Sequence, residues 1–145
     1  MELTCSAFAL LRGNANYPNL HGIAKFYTGS GRGTYLQVEV WGLPDSDSFF
    51  GMHIHEYGDC SLPFRETGNH YNPEQTIHPF HAGDLPPLLG NRGYAYSCCY
   101  TDRFQAADVI GRSLVIHANR DDLTTDPAGS SGEKIACGHI VSCRQ

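Results

Sequence analysis

The stretch "TYLQVEVW", residues 34 to 41, alternates apolar and polar side chains. Leu36, Val38 and Val40 share one face, while Tyr35, Gln37, Glu39 and Trp41 share the other. A period of two is that of a strand with one face on a core. "SAFALLRG" and "LHGIAKFYT" flank the turn-rich "GNANYPN" and predict a first hairpin. "GRG" leads into the third strand and "GLPDSDS" ends it. Further strands are predicted in "FFGMHIHEY", "NRGYAYSCCYT", "RSLVIHAN" and "KIACGHIVSC". No stretch carries a convincing helical period. Many short strands punctuated by glycine and proline predict an all-β antiparallel sandwich or barrel. Two segments, 58 to 93 and 118 to 133, are too long for tight turns. Loops of that length in a compact domain usually carry function.

The 145 residues fit one domain, 1–145, long enough to bury a core. At 41% hydrophobic and 17% charged the chain is not of a disordered class. A net charge of -5 and a pI of about 5.8 argue against a nucleic-acid partner. No apolar run approaches the length of a membrane span. The opening "MELTCSAFALLRGN" lacks a basic start and reads as a first strand rather than a signal peptide. A cytoplasmic location is therefore expected for the chain as given, with export by a removed leader left open. Six cysteines contain no CxxC, and Cys98 and Cys99 are adjacent. That leaves one or two long-range disulfides among Cys5, Cys60, Cys137 and Cys143.

The histidines change the picture. In "GMHIHEYGDC" His53 and His55 stand two apart, so a strand projects both from one face. Alone, such a pair is better read as surface histidines on a half-exposed strand. The first long segment adds His70, His78, His81 and Asp84, and His117 ends "VIGRSLVIH". Each of these alone would pass for a solvated loop residue. Six histidines and one aspartate gathered at strand ends and in one loop point instead to a metal site. Imidazoles suit copper and zinc, and a carboxylate joining three imidazoles suits zinc better. His21 and His139 lack such company and are read as ordinary strand residues.

These motifs resemble, in order and at compatible separations, those of the copper/zinc superoxide dismutase family, along nearly the full chain. "GMHIHEYGDC" resembles the family's copper-ligand strand, "GNHYNP" the segment of its metal-bridging histidine, and "HAGDL" the end of its zinc site. "VIGRSLVIHANRDDL" resembles the fourth copper-ligand segment and "SGEKIACGHI" the C-terminal strand. The likeness is to the bacterial type, with shortened zinc and electrostatic loops. It implies an eight-stranded antiparallel Greek-key barrel with two long functional loops. It also implies a copper at His53, His55, His70 and His117, and a zinc at His70, His78, His81 and Asp84, His70 bridging the two.

The same resemblance implies a Cys60–Cys137 disulfide and makes Asp121 the aspartate that links His53 to His78. The implied reaction is dismutation of the superoxide anion to O2 and H2O2, with a homodimer left open. A non-catalytic protein that binds, stores or delivers copper or zinc on the same fold is the alternative, and a structural barrel with vestigial sites is a third reading. Thiol or thioether ligands, which prefer Cu(I), would favour that alternative, and four imidazoles speak against it. Only "PF" separates His78 from His81, the 118 to 133 loop lacks the family's charged segment, and Lys134 stands where the family usually has arginine. Lys134 is expected to guide the substrate beside the copper mouth. A second bridge, Cys5 to Cys143, is suggested because first and last strands are neighbours in this fold.

Overall fold

The computed structural model describes residues 1–44 and 47–144. Asp45 and Ser46, within the predicted "GLPDSDS" turn, lie outside the described residues, as does Gln145. The strands are β1 (Thr4–Gly13), β2 (His21–Thr28), β3 (Thr34–Trp41), β4 (Phe49–Phe50), β5 (Met52–His55), β6 (Leu88–Leu89), β7 (Ala95–Thr101), β8 (Ser113–His117) and β9 (Lys134–Ser142). Seven of them form one antiparallel sheet in the order β5-β8-β9-β1-β2-β3-β7. The alternation in β3 is as predicted: Leu36, Val38 and Val40 are buried, their neighbours half-buried or exposed.

β4 and β6 pair with each other as a small second sheet beside the curled seven-stranded one, in keeping with the expected Greek-key barrel. Only Gly51 separates β4 from β5, and a tight turn with reciprocal backbone bonds between Asn91 and Tyr94 joins β6 to β7. Counting the run through Gly51 as one strand gives the eight expected. The predicted absence of helices needs a small amendment. A single α-helical turn (α1, Ala106–Val109) and a 3-10 turn at Arg65–Thr67 are present, both too short to leave a sequence period. Among the described residues no helix is long and apolar enough to cross a membrane.

The main core cluster holds Leu11, Phe26, Leu36, Ile54, Leu114 and Ile140 fully buried, and a second, small cluster of Phe64, Val115 and Cys137 lies beside the disulfide. Strands β5 and β8 depart from the half-buried pattern, since every residue in both is buried. Met52 and Ile54 face the core, while His53 and His55 face outward and are covered by the long 58 to 93 segment. Ile54 N–H donates to Gly83 O, and Tyr71 N–H to Ile54 O, which seats that segment on β5. A Cys60–Cys137 disulfide ties the same segment to β9. The half-exposed strand considered for the His53–His55 pair is thus a doubly covered one.

Candidate metal centre

Seven predicted ligands come together under that cover. His53, at 0% exposed, and His55 stand on β5; His117, at 2%, ends β8; His70, His78, His81 and Asp84 line the loop laid over them. All seven are buried. Buried polar groups normally find partners, and in four of the rings the outward nitrogen has one. His53 Nε2–H donates to Asp121 Oδ2 at 2.6 Å, and His78 Nε2–H to Asp121 Oδ1 at 2.7 Å. His55 Nδ1–H donates to Gly68 O at 2.9 Å and His117 Nδ1–H to Gly132 O at 3.0 Å. Committing one nitrogen as donor leaves the other with a lone pair turned inward.

Those inward nitrogens fall into two groups. Donor atoms of His53, His55, His70 and His117 lie within 4.8 Å of one another, with His55 Nε2 and His117 Nε2 3.3 Å apart. On the other side of His70, its Nδ1 lies 2.8 Å from Asp84 Oδ1 and 3.3 Å from His81 Nδ1. His78 Nδ1 and His81 Nδ1 lie 3.2 and 3.1 Å from Asp84 Oδ2. A tetrahedron with zinc–ligand bonds of about 2.0 Å has edges of about 3.3 Å, close to these spacings around Asp84 and between His70 and His81. The second set of donor atoms that all lie within 4.8 Å of one another is His53, His70, His78 and Asp84, the His53 ring stacking on His70 at 3.9 Å between centroids, while His81 joins this side through its contacts with Asp84 and His70.

Three buried nitrogens, His53 Nδ1, His70 Nε2 and His78 Nδ1, have no hydrogen-bond partner. All three are inward-facing, and a bound cation would satisfy each of them. His70 is distinctive: one nitrogen meets Asp84 and His81, while the other turns unpartnered toward His53, His55 and His117.

The electrostatics favour neutral rings. Burial holds His53 down to about 4, against the opposing pull of Asp121. Burial, then His53, holds His117 down to about 3. His55 is pushed well below its ordinary value by burial and then by His117. Burial alone would raise Asp84 and Asp121, yet hydrogen bonds from the surrounding rings hold both below the usual carboxylate range. Neutral imidazoles beside ionised carboxylates are the donor set a dication needs.

A cleft of about 620 Å³ opens onto this centre, lined among others by His55, His70, His117, Glu56, Asp126 and Lys134. Lys134 supplies the only positive side chain among the described lining residues. Its Nζ donates to Thr67 Oγ1 at 2.7 Å, Gly68 O at 3.2 Å and Phe64 O at 3.4 Å, which uses all three of its N–H groups. Burial lowers its pKa. His21, stacked on Trp41, and His139 lie outside the cluster, as read from the sequence.

The sequence reading missed the residues that hold the loop. Arg103 Nη1–H donates to Pro79 O at 2.6 Å and His81 O at 3.2 Å, and His78 N–H donates to Asp126 Oδ1 at 2.9 Å. Gly129, at φ +66, packs so closely that a Cβ would fall 1.9 Å from Asp121 Oδ1. Backbone acceptors such as Gly68 O and Gly132 O carry no residue signature. Arg103, 22 residues from His81, had no motif to mark it.

A family model described as copper/zinc superoxide dismutase matches residues 20–140. The chain is 36% identical, over 92% of its length and 74% of the relative's, to an extracellular superoxide dismutase [Cu-Zn] of Onchocerca volvulus. It is 30% identical, over 94% of its length and 53% of the relative's, to the copper chaperone for superoxide dismutase of Homo sapiens. Among solved structures, the clock protein EA4 superposes with a TM-score of 0.83 at 29% identity, covering 94% of both chains. These relatives do not single out a bacterial type.

Proposed function

We propose that this chain, which belongs to the copper/zinc superoxide dismutase family, dismutates superoxide to O2 and H2O2. Copper would be held by His53, His55, His70 and His117, and zinc by His70, His78, His81 and Asp84. The observation that carries this reading is His70, whose two nitrogens face two separate donor groups. When bound, copper supplies the one-electron chemistry and zinc, which has none of its own, fixes the shared ring.

The protein's own groups do the rest. Asp121 orients one ring in each donor group at once through its two oxygens. His70 Nε2, unpartnered among the protein's own groups, would take up a proton and supply it to the peroxide product. The net change consumes two superoxides and two protons and yields one O2 and one H2O2. Lys134 draws the anion into an otherwise acidic cleft. With its three N–H groups already committed, it acts by charge rather than by a direct hydrogen bond. An arginine would keep spare donors.

Delivery of copper is the second reading, favoured by the likeness to a copper chaperone. Metal analysis of the purified protein, with dismutation assayed before and after copper reconstitution, separates the two. Dismutation that rises in proportion to bound copper supports the enzyme. Full copper occupancy without dismutation supports delivery.

A further inference from the structure

The terminal strands β1 and β9 pair antiparallel, with Ala7 opposite Ser142. Cys143 N–H donates to Ser6 O at 3.1 Å, which carries the pairing one residue past β9. On its other side β1 is irregular: Cys5 faces Tyr27 and Ala7 faces Phe26, so Ser6 is an extra residue in the ladder. A bulge of this kind re-aims the neighbouring side chain. Here Cys5 Sγ comes to lie 2.7 Å from Cys143 Sγ. A disulfide bond is about 2.0 Å long and joins Cβ atoms about 4 Å apart. The two sulfurs therefore need to move by well under an ångström to bond. Cys98 and Cys99, adjacent on β7, have no such partner among the described residues.

We propose that Cys5 and Cys143 are a redox site that forms a second disulfide by exchange with a small-molecule disulfide, stapling the first strand to the last. The Cys143 sulfur attacks the small disulfide, forming a mixed disulfide and releasing one small thiol. The Cys5 sulfur then attacks the Cys143 sulfur, the Cys5–Cys143 bond forms, and a second small thiol leaves. The two cysteines lose two electrons and their two protons; the small disulfide gains both. Burial and the neighbouring Cys143 push the Cys5 thiol up to about 11, which assigns the first attack to Cys143. Neither sulfur lines the metal cleft, so the staple is independent of the proposed activity.

The test incubates the metal-loaded full chain with oxidised glutathione, then alkylates it and digests it without reduction. The expected result is a Cys5–Cys143 cross-linked peptide beside the Cys60–Cys137 one. Oxidation should also raise the melting temperature on the order of 10 °C in the parent and not in Cys5→Ser or Cys143→Ser. Bound metal and dismutation should be equal in the parent and both variants. Recovery of Cys5 and Cys143 as alkylated thiols after oxidation would overturn the proposal. So would a glutathione adduct persisting on Cys143, or Cys143 joined to Cys98 or to a second chain.

Discussion

Replacing Asp121 with leucine removes both acceptors that orient His53 and His78 while keeping the branched shape of the side chain. Each ring loses a charge-assisted bond, 2.6 Å for His53 and 2.7 Å for His78. Loss of such an outer partner typically costs about 10–100-fold in metal affinity, or ~1.4–2.8 kcal/mol. The structure says which ring falls at which end of that range. His53 sits inside β5, paired with Val115 of β8, so the strand still aims its ring. His78 stands on a loop, and its remaining polar anchor outside the donor set is the bond from its own N–H to Asp126. Zinc affinity should therefore fall about 100-fold and copper affinity about 10-fold, measured by chelator competition at neutral pH. Unchanged zinc affinity, or a copper loss larger than the zinc loss, would show that Asp121 does not hold His78 for zinc.

His117→Ala should abolish most dismutation while zinc content and the fold persist, because the donors proposed for zinc do not include it; parent-like activity at full copper loading would count against the four-histidine site. Lys134→Glu should lower the second-order rate several-fold and Lys134→Arg should hold or raise it, and the parent rate should fall as salt screens charge over about 10 Å at 0.1 M; equal low-salt rates for parent and Lys134→Glu would remove Lys134 from substrate capture. In the metal-free protein, His53 and His117 are held down to about 4 and about 3 against an ordinary 6.5. Between those values the unfolded chain takes up protons that the folded one refuses, so the stability they contribute is present above pH 6.5 and lost as pH falls toward 4. The urea midpoint of the metal-free protein should drop over that window, and a flat profile would contradict the buried neutral rings.

Long alternating strands were legible because side-chain periodicity reports directly on burial, as in β3. β6 was not: Leu88 and Leu89 follow two prolines, and two residues cannot display a period. The metal donors were legible as a gathering of residue types, but their burial was not. His53 and His55 read as half-exposed because the cover over β5 comes from a loop whose path no local pattern predicts. The same holds for Lys134. Its place beside the cleft follows from its motif, whereas the contacts with Thr67 and Gly68 that commit its donors follow from the seating of that loop. Cys5 and Cys143 could be brought near by topology alone, yet their contact depends on the irregularity at Ser6, which leaves no mark in composition or spacing.

The proposed dismutation requires one imidazole, His70, to join two different metal sites. Anomalous diffraction from crystals of the reconstituted protein, recorded at the copper and zinc absorption edges, tests it directly. A copper peak is expected among His53, His55, His70 and His117, and a zinc peak among His70, His78, His81 and Asp84, one on each side of the His70 ring. A single shared peak, or a His70 that contacts only one metal in the oxidised protein, would contradict it.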